Sequence, residues 1–231
     1  MLGYGLSDKP DAYSYSLLEQ ADTALCVWKH FGVTGGHLLS HDMGDSVATE
    51  LVARHQNETM PGWFSDGLQS LTFTNGSMVM ELCALRTVQH LLLSGYGYYL
   101  QYLTVRSVMA HQIRSAHGNA TLSQEEIDVM WEANLLQEGN MKTYLTIKYI
   151  NDRKQFETTR WLPALAQTKL PVHLCWGDSD SVARVEMVHH LKQKVCKEAT
   201  VTIMNGVGHF CQLGSPEKWL EAVGAYYTTL G

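Results

Sequence analysis

The chain has 231 residues, of which 45% are hydrophobic, so it can bury the core of one domain with an inserted subdomain. Its net charge is −6 and it has no block of basic residues, which argues against nucleic acid as a partner. No apolar run approaches the roughly 18 residues of a transmembrane segment, and no signal peptide is recognisable.

The cysteines and histidines give no sign of a metal or cofactor site. The adjacent His189 and His190 diverge on a helix, which disfavours a shared metal ion. No C-x-x-C pair occurs, so the cysteines are expected to be reduced thiols of the core rather than disulfides or zinc ligands. The five cysteines are Cys26, Cys83, Cys175, Cys196 and Cys211. The sequence therefore predicts neither a metal nor a cofactor.

Three N-x-S/T sequons occur, at Asn57, Asn75 and Asn119. Such motifs arise often by chance. Asn75 directly follows a predicted strand, which is a poor place for a glycan. We therefore favour an unglycosylated chain.

The first part of the chain alternates between helix and strand. Met1 to Pro10 is glycine-rich and turn-like, and it is interpreted either as an ordinary disordered start or as the start of a fragment or short isoform. The elements that follow are predicted from hydrophobic periodicity. In order, they are a helix from Ser14 to Phe31, a strand from Gly36 to Leu39, a helix from Asp42 to about Gln56, and a strand from Leu68 to Thr74.

The middle of the chain, from about Ser77 to Arg160, has no strong strand signal and is rich in aromatic residues and methionine. Ser123 to Glu126 is typical of a helix start. We interpret this part as a helical cap, although core packing also explains its aromatic residues. The alternation then returns with a strand at Val172–Trp176, a helix at about Arg184–Val195, a strand at Thr200–Met204 and a helix from about Pro216.

Strands that alternate with helices predict an α/β fold with a mostly parallel, doubly wound sheet. The core is expected in two parts, residues 1–76 and 161–231, with the helical cap inserted at 77–160. In such sheets ligands collect at the carboxyl ends of the strands. Polar residues at those ends are therefore the candidates for a functional site.

The sharpest local signal is the stretch LLSHDMGDS, where a strand turns at once into a helix around Asp42. The residue at the apex of such a turn stands out at the sheet edge, where a nucleophile is expected. Small residues flank it, at Ser40 and Gly44. Ser40, His41 and Asp42 do not form a triad, because neighbouring side chains on a strand point to opposite faces.

Two more polar loops follow strands, one with Asp178 and Asp180 and one with His209. The order along the chain is nucleophile, acid, histidine. A carboxylate that attacks the carbon of an epoxide or alkyl halide forms an ester. His209 would activate the water that hydrolyses it, and Asp180, with Asp178 as the fallback, would orient His209. The backbone N–H of Met43 would supply one oxyanion donor.

These motifs resemble the epoxide hydrolase and haloalkane dehalogenase branch of the α/β-hydrolases over nearly the whole chain. GYGLSDKP is similar to its G-x-G-x-S-x-x-P segment, SHDMGD to its H-D-W-G nucleophile turn, GDSD to its G-x-x-D acid loop and GVGHF to its G-H-[FW] loop. LLSHDMGDSVATEL, KYINDRKQF and LPVHLCWGDSD are most similar to the mesoderm-specific transcript protein family. That resemblance implies an α/β-hydrolase fold and association with the endoplasmic reticulum membrane through an N-terminal segment. A chain that truly starts at Met1 is instead expected in the cytoplasm.

The resemblance also gives a role to one cap tyrosine. Tyr149 matches a residue that hydrogen-bonds the epoxide oxygen, while Tyr96, Tyr98 and Tyr99 are only candidates for a second such residue. Met43 stands where the branch has a halide-binding tryptophan, which disfavours dehalogenation. The strands and the H-G-x-P oxyanion loop that precede the G-x-G segment in that branch are absent from this sequence, so the sheet is expected to lack its N-terminal strands and to expose edges.

Three hypotheses follow. The first is an epoxide hydrolase-like enzyme with an ester intermediate on Asp42, which acts on a small apolar or lipid-like substrate because the cap is rich in aromatic residues and methionine. The alternative is a catalytically impaired, truncated hydrolase-fold protein with a binding or regulatory role. The third and weakest is an esterase that uses Ser40 or Ser46, neither of which lies at the apex of the turn.

Overall fold

A computed structural model describes residues 1–83 and 85–231 as a four-stranded parallel sheet flanked by helices. The strands lie side by side in chain order. They are β1 Gly35–His41, β2 Gly67–Thr74, β3 Val172–Gly177 and β4 Thr200–Met204. Parallel pairing of consecutive strands requires a crossover each time, and helices provide these crossovers. The predicted α/β fold with a parallel, doubly wound sheet is confirmed.

Helices before, between and after the strands pack on the sheet through their apolar faces. Ser16 caps the first of them, because its hydroxyl accepts a hydrogen bond from the backbone N–H of Leu18. The last has proline at its first turn, as predicted from Pro216. These helices are α1 Leu17–His30 and α2 Met43–Gln56 before the cap, and, after it, α9 Leu162–Gln167, α10 Val185–His190, α11 Cys211–Gly214 and α12 Pro216–Thr228. A π-helical turn, Leu191–Val195, extends α10.

Short helices fill the stretch between β2 and β3, and no strand interrupts them in the part that the structure describes. Ser123 and Glu126 form the predicted capping box at the start of one of them. The helices are α3 Thr87–Leu93, α4 Gly97–Leu100, α5 Arg106–Ala116, α6 Gln124–Leu135, α7 Thr143–Thr146 and α8 Tyr149–Phe156. Three 3-10 segments, Met80–Leu82, Gln101–Leu103 and Leu136–Lys142, and a π-helical turn, Glu157–Trp161, join them. The cap boundaries at 77 and 160 stay a prediction.

The core lies between the central strands and the helices on one face of the sheet. Its largest fully buried side chains include Phe73 on β2 and Trp176 on β3. The indole N–H of Trp176 donates to the backbone carbonyl of Ala183 at 2.7 Å, so this large ring buries no unpaired donor. Since burial of such side chains contributes about 2 to 3 kcal/mol each, these central strands are the most strongly held part of the fold.

Glu50 on α2 ties the turn Glu157–Trp161 to the core. Its buried carboxylate accepts hydrogen bonds from Arg54, from Arg160 at 2.7 and 2.9 Å, and from the indole of Trp161 at 2.9 Å. Burial opposes the charge of Glu50, but these donors outweigh it and lower the pKa of the carboxyl. The chain that returns from the cap is therefore fixed to the helix that begins at Met43.

Two expectations from the sequence are wrong. Met1–Pro10 is not disordered: Lys9 is only 2% exposed and donates to the backbone carbonyl of Gly5, and Gln20 accepts a hydrogen bond from the N–H of Leu2. Lys9 would be solvated if this segment were flexible, but its side chain is instead enclosed by its own loop. Cys26 is exposed rather than part of the core, because it lies on the outer face of α1.

The edge of the sheet at β1 carries exposed apolar surface. Among the described residues β1 pairs only with β2, and Leu39 on β1 is 41% exposed. A parallel strand is usually covered on both faces, so this exposure is unusual. Within the same described ranges, no helix is long and apolar enough to cross a membrane, and no group of three or more His, Cys, Asp or Glu side chains is arranged to hold a metal ion.

Candidate active site

Asp42 occupies the apex of a strained turn between β1 and α2. Its backbone adopts φ +50° and ψ −115°, which a non-glycine residue rarely adopts and which costs about 1 to 3 kcal/mol. Its N–H donates to the carbonyl of Thr74 at 3.1 Å, and that bond fixes the turn against the end of β2. The geometry lifts the carboxylate above the carboxyl edge of the sheet.

His209 joins the two carboxylates that the sequence predicted for the site. Its Nδ1 lies 2.8 Å from Oδ2 of Asp180, and its Nε2 lies 3.7 Å from Oδ1 of Asp42. His209 and Asp180 are each 4% exposed, whereas the Asp42 side chain is 35% exposed. The structure thus brings the three predicted side chains together, with the candidate nucleophile open to a ligand and its partners enclosed.

Three donors besides His209 point at the carboxyl group of Asp180. The backbone N–H groups of Val182 and Ala183 donate to Oδ1 at 2.6 and 3.0 Å, and the amide of Asn75 donates to Oδ2 at 2.8 Å. These hydrogen bonds fix the orientation of the side chain. Asp178, the fallback candidate, is exposed and accepts from the N–H of Gly206 instead. The structure therefore places Asp180, not Asp178, against His209.

The sequence analysis did not predict the role of Asn75 in the site. This residue follows β2 directly, adopts φ +49° and is fully buried. Its side-chain oxygen accepts from the N–H of Gly177 at 3.0 Å, so the amide bridges the ends of β2 and β3 while it holds Asp180. The rule that selected the other strand-end residues would also have selected Asn75.

The charges at the site reinforce one another. Burial disfavours a charged His209, but hydrogen bonds and charge from Asp180 and Asp42 outweigh it and raise the pKa of His209 to about 10. Burial likewise opposes ionisation of Asp42, yet the hydrogen bond and charge of His209, with Arg153 nearby, lower the pKa of Asp42. The resting site therefore holds an imidazolium between two carboxylates.

His41 does not act on Asp42 but supports His209 from the side. Its Nε2 donates to the backbone carbonyl of His209 at 2.7 Å, which fixes the tautomer of its ring. Burial, and then the charge of His209, lower the pKa of His41, so this second ring stays neutral.

Tyr149 and Arg153 lie one helical turn apart on α8 and face the same region. The guanidinium of Arg153 lies 4.7 Å from the centre of the Tyr149 ring, and its Nε donates to Ser46 on α2 at 2.9 Å. Burial raises the pKa of Tyr149 to about 12, Arg153 opposes that rise, and the charge of Asp42 adds to it. The charge of Asp42 therefore acts on the Tyr149 hydroxyl.

Arg153 is a second residue that sequence reasoning missed. It is only 4% exposed, its Nη2 has no hydrogen-bond partner, and it forms no ion pair among the described residues. A buried charge without a close partner costs several kcal/mol unless nearby groups compensate it. Arg153 favours the ionised form of Asp42. Its positive charge therefore balances the negative charge of the site.

The second tyrosine beside the site comes from the N-terminal segment rather than from the cap. The hydroxyl of Tyr4 donates to the carbonyl of Thr146 at 3.2 Å and lies 3.5 Å from the sulfur of Met43. Burial, and then the neighbouring Tyr149, raise the pKa of Tyr4. The candidates from the cap point elsewhere: Tyr96, Tyr98 and Tyr99 are 73%, 51% and 68% exposed.

The backbone N–H of Met43 is free to act as a donor. Met43 is the first residue of α2, and such an N–H has no intrahelical acceptor. No other acceptor lies within hydrogen-bond distance of it in residues 1–83 and 85–231. The structure is therefore compatible with the predicted oxyanion donor.

Ser40 and Ser46, the nucleophiles of the weakest hypothesis, are used elsewhere. Ser40 donates to Oδ1 of Asp45 at 2.6 Å, and Ser46 accepts from Arg153. Neither hydroxyl is hydrogen-bonded to His209. Both serines support the turn, and the structure gives no geometry for a serine esterase.

Asp45 is a buried acid directly behind the site. It is fully buried, its Oδ2 has no partner, and a Cβ added at Gly76 would lie 2.2 Å from that oxygen. Burial raises the pKa of Asp45 well above 3.8 and so favours its neutral form. Spacing alone did not single out this residue, because an acid in the first turn of a helix is usually a solvated one.

The sequence and the fold are similar to those of known hydrolases. The model of a family described as "alpha/beta hydrolase fold" matches residues 1–216. "Putative hydrolase LipZ" of Mycobacterium tuberculosis is 33% identical over 222 residues, which cover 96% of this chain and 75% of that protein. The human "Mesoderm-specific transcript homolog protein" is also 33% identical, over 96% of this chain and 67% of that protein. The crystal structure of haloalkane dehalogenase DbeA from Bradyrhizobium elkani superposes with a TM-score of 0.78 at 21% identity, over 99% of this chain and 78% of that one, a likeness of fold alone.

Proposed function

This chain belongs to the alpha/beta hydrolase fold family, and from that membership we propose that it is a hydrolase that forms an ester on Asp42, in the manner of epoxide hydrolases. One observation carries the proposal: the residue at the apex of the strained turn is a carboxylate, and it lies 3.7 Å from a histidine that a second carboxylate orients. A serine at that apex would have pointed to an acyl intermediate instead.

In the first step, a carboxylate oxygen of Asp42 attacks an epoxide carbon. The carbon–oxygen bond of the ring breaks, and its electron pair stays on the substrate oxygen. Tyr149 gives its phenolic proton to that oxygen, and the charge of Arg153 favours the phenolate that results. The product of this step is a hydroxyalkyl ester on Asp42.

In the second step, His209 acts as the base. Esterification removes the charge of Asp42, which is one of the causes that raise the pKa of His209, so the imidazole loses its proton more easily. Nε2 then takes a proton from water while the water oxygen attacks the ester carbonyl, and the N–H of Met43 stabilises the oxyanion. The tetrahedral intermediate then collapses: the ester carbon–oxygen bond breaks, the leaving alkoxide takes the proton from His209 and departs as the diol, and the proton of the new Asp42 carboxyl group passes through solvent to the Tyr149 phenolate.

The substrate class in this proposal is a small apolar or lipid-like epoxide. Met43, which directly follows Asp42, lies in the main apolar cluster, and Tyr149 packs against that cluster, which suits an apolar substrate. Met43 also gives no indole N–H for a halide, so dehalogenation is not part of the proposal. Association with the endoplasmic reticulum membrane, implied by the resemblance, stays a prediction.

The origin of the product oxygen tests the mechanism. In a single turnover in ¹⁸O-labelled water, the new oxygen of the diol should come unlabelled from Asp42, and the label should appear in the Asp42 carboxylate. The His209→Gln variant should accumulate the ester as a mass increase on the peptide that contains Asp42, and Asp42→Asn should show neither turnover nor ester.

Two results would contradict the proposal. Label that enters the diol directly in the first turnover would mean that water attacks the epoxide itself. Folded protein that gives neither diol nor ester across a panel of apolar epoxides would favour the alternative, a hydrolase-fold protein with a binding or regulatory role.

A further inference from the structure

The cap carries an unusual concentration of exposed apolar side chains. In the part of the chain that the structure describes, 20 large hydrophobic side chains are exposed, and eight of them lie between residues 91 and 108. Single exposed apolar residues are normal on a protein surface, whereas clusters of them mark interaction sites. The centre of this cluster, here called the tyrosine surface, consists of Tyr96, Tyr98, Tyr99, Tyr102 and Leu103.

The tyrosine surface is built on α4 and the 3-10 segment that follows it. Tyr96 is 73% exposed, and Tyr99 and Leu103 are almost as open. Tyr98 makes edge contacts with Tyr99 and with Tyr144 on α7, at ring-centre distances of 5.4 and 5.5 Å. The four tyrosine hydroxyls of this surface have no hydrogen-bond partner within the described ranges, so they are free to bind polar groups outside the protein.

The charge around this surface differs from that of the rest of the protein. Residues 82–124 contain three arginines and no acidic residue, although the whole chain has a net charge of −6. Arg106 pairs with Asp128 from outside this stretch, but Arg114 is exposed, and the exposed Lys148 lies 5.9 Å from the centre of the Tyr144 ring. The stretch that carries the tyrosine surface is therefore basic in a chain of net negative charge, and Lys148 adds a cation beside Tyr144.

Tyrosine combines an apolar ring with a polar hydroxyl, and it is enriched where a membrane meets water. Basic residues beside such rings add attraction to anionic headgroups. We propose that the tyrosine surface docks the cap on a lipid membrane that contains anionic headgroups. Tyrosine is also enriched at protein–protein interfaces, so the choice of a membrane rests on the basic residues near the rings.

This orientation brings the candidate active site close to the membrane. Tyr98 contacts Tyr144 on α7, and Thr146 on the same short helix accepts a hydrogen bond from Tyr4 beside the site. Tyr149 begins the next helix. An apolar substrate that is dissolved in the bilayer would thus enter from the side of the cap that touches it. The docking itself needs no hydrolysis, so it can be tested even if the proposed function fails.

Vesicle flotation tests the proposal on the whole chain, with vesicles of phosphatidylcholine alone and of phosphatidylcholine with phosphatidylserine. The parent should float with the mixed vesicles, bind the neutral ones less, and lose part of its binding when salt is raised. The triple variant Tyr96→Ser, Tyr99→Ser, Tyr102→Ser should bind at least about tenfold less tightly, since a tenfold change requires only about 1.4 kcal/mol from three rings.

The control is the double variant Phe31→Ser, Leu220→Ser, which removes side chains that are 75% and 67% exposed on α1's end and on α12. It should bind as the parent does. Lys148→Gln should reduce the preference for mixed over neutral vesicles. The proposal is overturned if the parent does not float, if the control loses as much binding as the triple variant, or if size-exclusion chromatography shows that the tyrosine surface joins two copies of the chain.

Discussion

The imidazole Nε2 of His209 lies 3.7 Å from Oδ1 of Asp42, close enough for the two groups to determine each other's charge. The carboxylate keeps the imidazole protonated, and the imidazolium keeps the carboxylate ionised. Asp42 is thereby ready to attack as a carboxylate, but His209 is held protonated, whereas ester hydrolysis needs it as a neutral base. His209 can therefore act as the base only if the charge of Asp42 disappears first.

The Asp42→Asn variant imitates the loss of that charge. It should lower the pKa of His209 from about 10 by about one unit or more, because two of the causes that raise it come from Asp42. Titration of the histidine ring signals by NMR measures this shift without any substrate. A pKa of His209 that stays near 10 in Asp42→Asn would mean that Asp180 alone sets it.

The same pKa makes a prediction for stability. The pKa of His209 is higher in the folded state than its ordinary 6.5, so its contribution to the free energy of unfolding is complete below pH 6.5 and is lost as the pH rises through about 10. The free energies of unfolding of the parent and of His209→Gln, measured with urea, should therefore converge over that range. A difference that is constant with pH would contradict the raised pKa.

The Asp45→Asn variant should leave the free energy of unfolding at neutral pH within about 1 kcal/mol of the parent or raise it. Burial raises the pKa of Asp45 and so favours its neutral form, and the amide oxygen of asparagine can keep the contact with Ser40. Since ionisation of Asp45 is favoured only in the unfolded chain, the parent should lose stability relative to Asp45→Asn as the pH rises above 3.8.

Asp45→Ala is the matched control for the volume of this side chain. It leaves Ser40 without its acceptor and opens a cavity, and should cost about 2 kcal/mol or more. Chemical unfolding at several pH values measures both variants. If Asp45→Asn and Asp45→Ala lose the same free energy of unfolding, the acid is not neutral in the folded state.

Glu50→Ala should cost about 3 kcal/mol of the free energy of unfolding, because Arg160 and Trp161 lose their shared acceptor. The lowered pKa of Glu50 means that its contribution is present above 4.5, its ordinary value, and is lost as the pH falls below it. The parent and Glu50→Gln should therefore converge in acid. Thermal unfolding followed by circular dichroism measures this, and a gap that widens in acid would contradict it.

The Arg153→Met variant should slow ester formation by about tenfold or more, since the charge that favours ionised Asp42 and a Tyr149 phenolate is removed. Hydrolysis of the ester should change much less, because that step depends on His209. Mass spectrometry of single turnovers separates the two steps.

Ser46→Ala is the control for this variant, because it removes the acceptor of Arg153 and keeps the charge. It should slow ester formation less than Arg153→Met does. Equal slowing of both steps in Arg153→Met would instead indicate a general loss of cap structure.

The sequence predicted the strands and the residues that follow them for one physical reason. Asp42, Asp180 and His209 each stand where an apolar run ends, and parallel strands bring such ends to one edge of the sheet. The pattern is local, so it can be recognised without coordinates. Apart from the start of α6, the individual helices between β2 and β3 were not predicted, because half of the helices α3 to α8 are shorter than two turns and carry too little periodicity.

The polar residues that support the site could not be predicted in the same way. Asn75 holds Asp180 across 105 positions, and Arg153 reaches Ser46 across 107. The first pair depends on how the ends of β2 and β3 meet and the second on how α8 packs on α2, and no single stretch of sequence encodes either. The N-terminal segment is a similar case, since the contact of Tyr4 with Thr146 decides that it is ordered.

The amide of Asn75 also determines how this protein would age. Asn75 precedes Gly76, and an asparagine before glycine deamidates readily because the small neighbour leaves the backbone nitrogen free to attack the side chain. In the folded chain the side chain is buried and donates to Asp180 at 2.8 Å, which withholds it from that reaction. Each period in the unfolded state would expose it, and the new carboxylate would repel Asp180 when the chain refolds. Storage and heating would then leave a chemical record of past unfolding at Asn75, readable as a mass increase in the peptide that contains it.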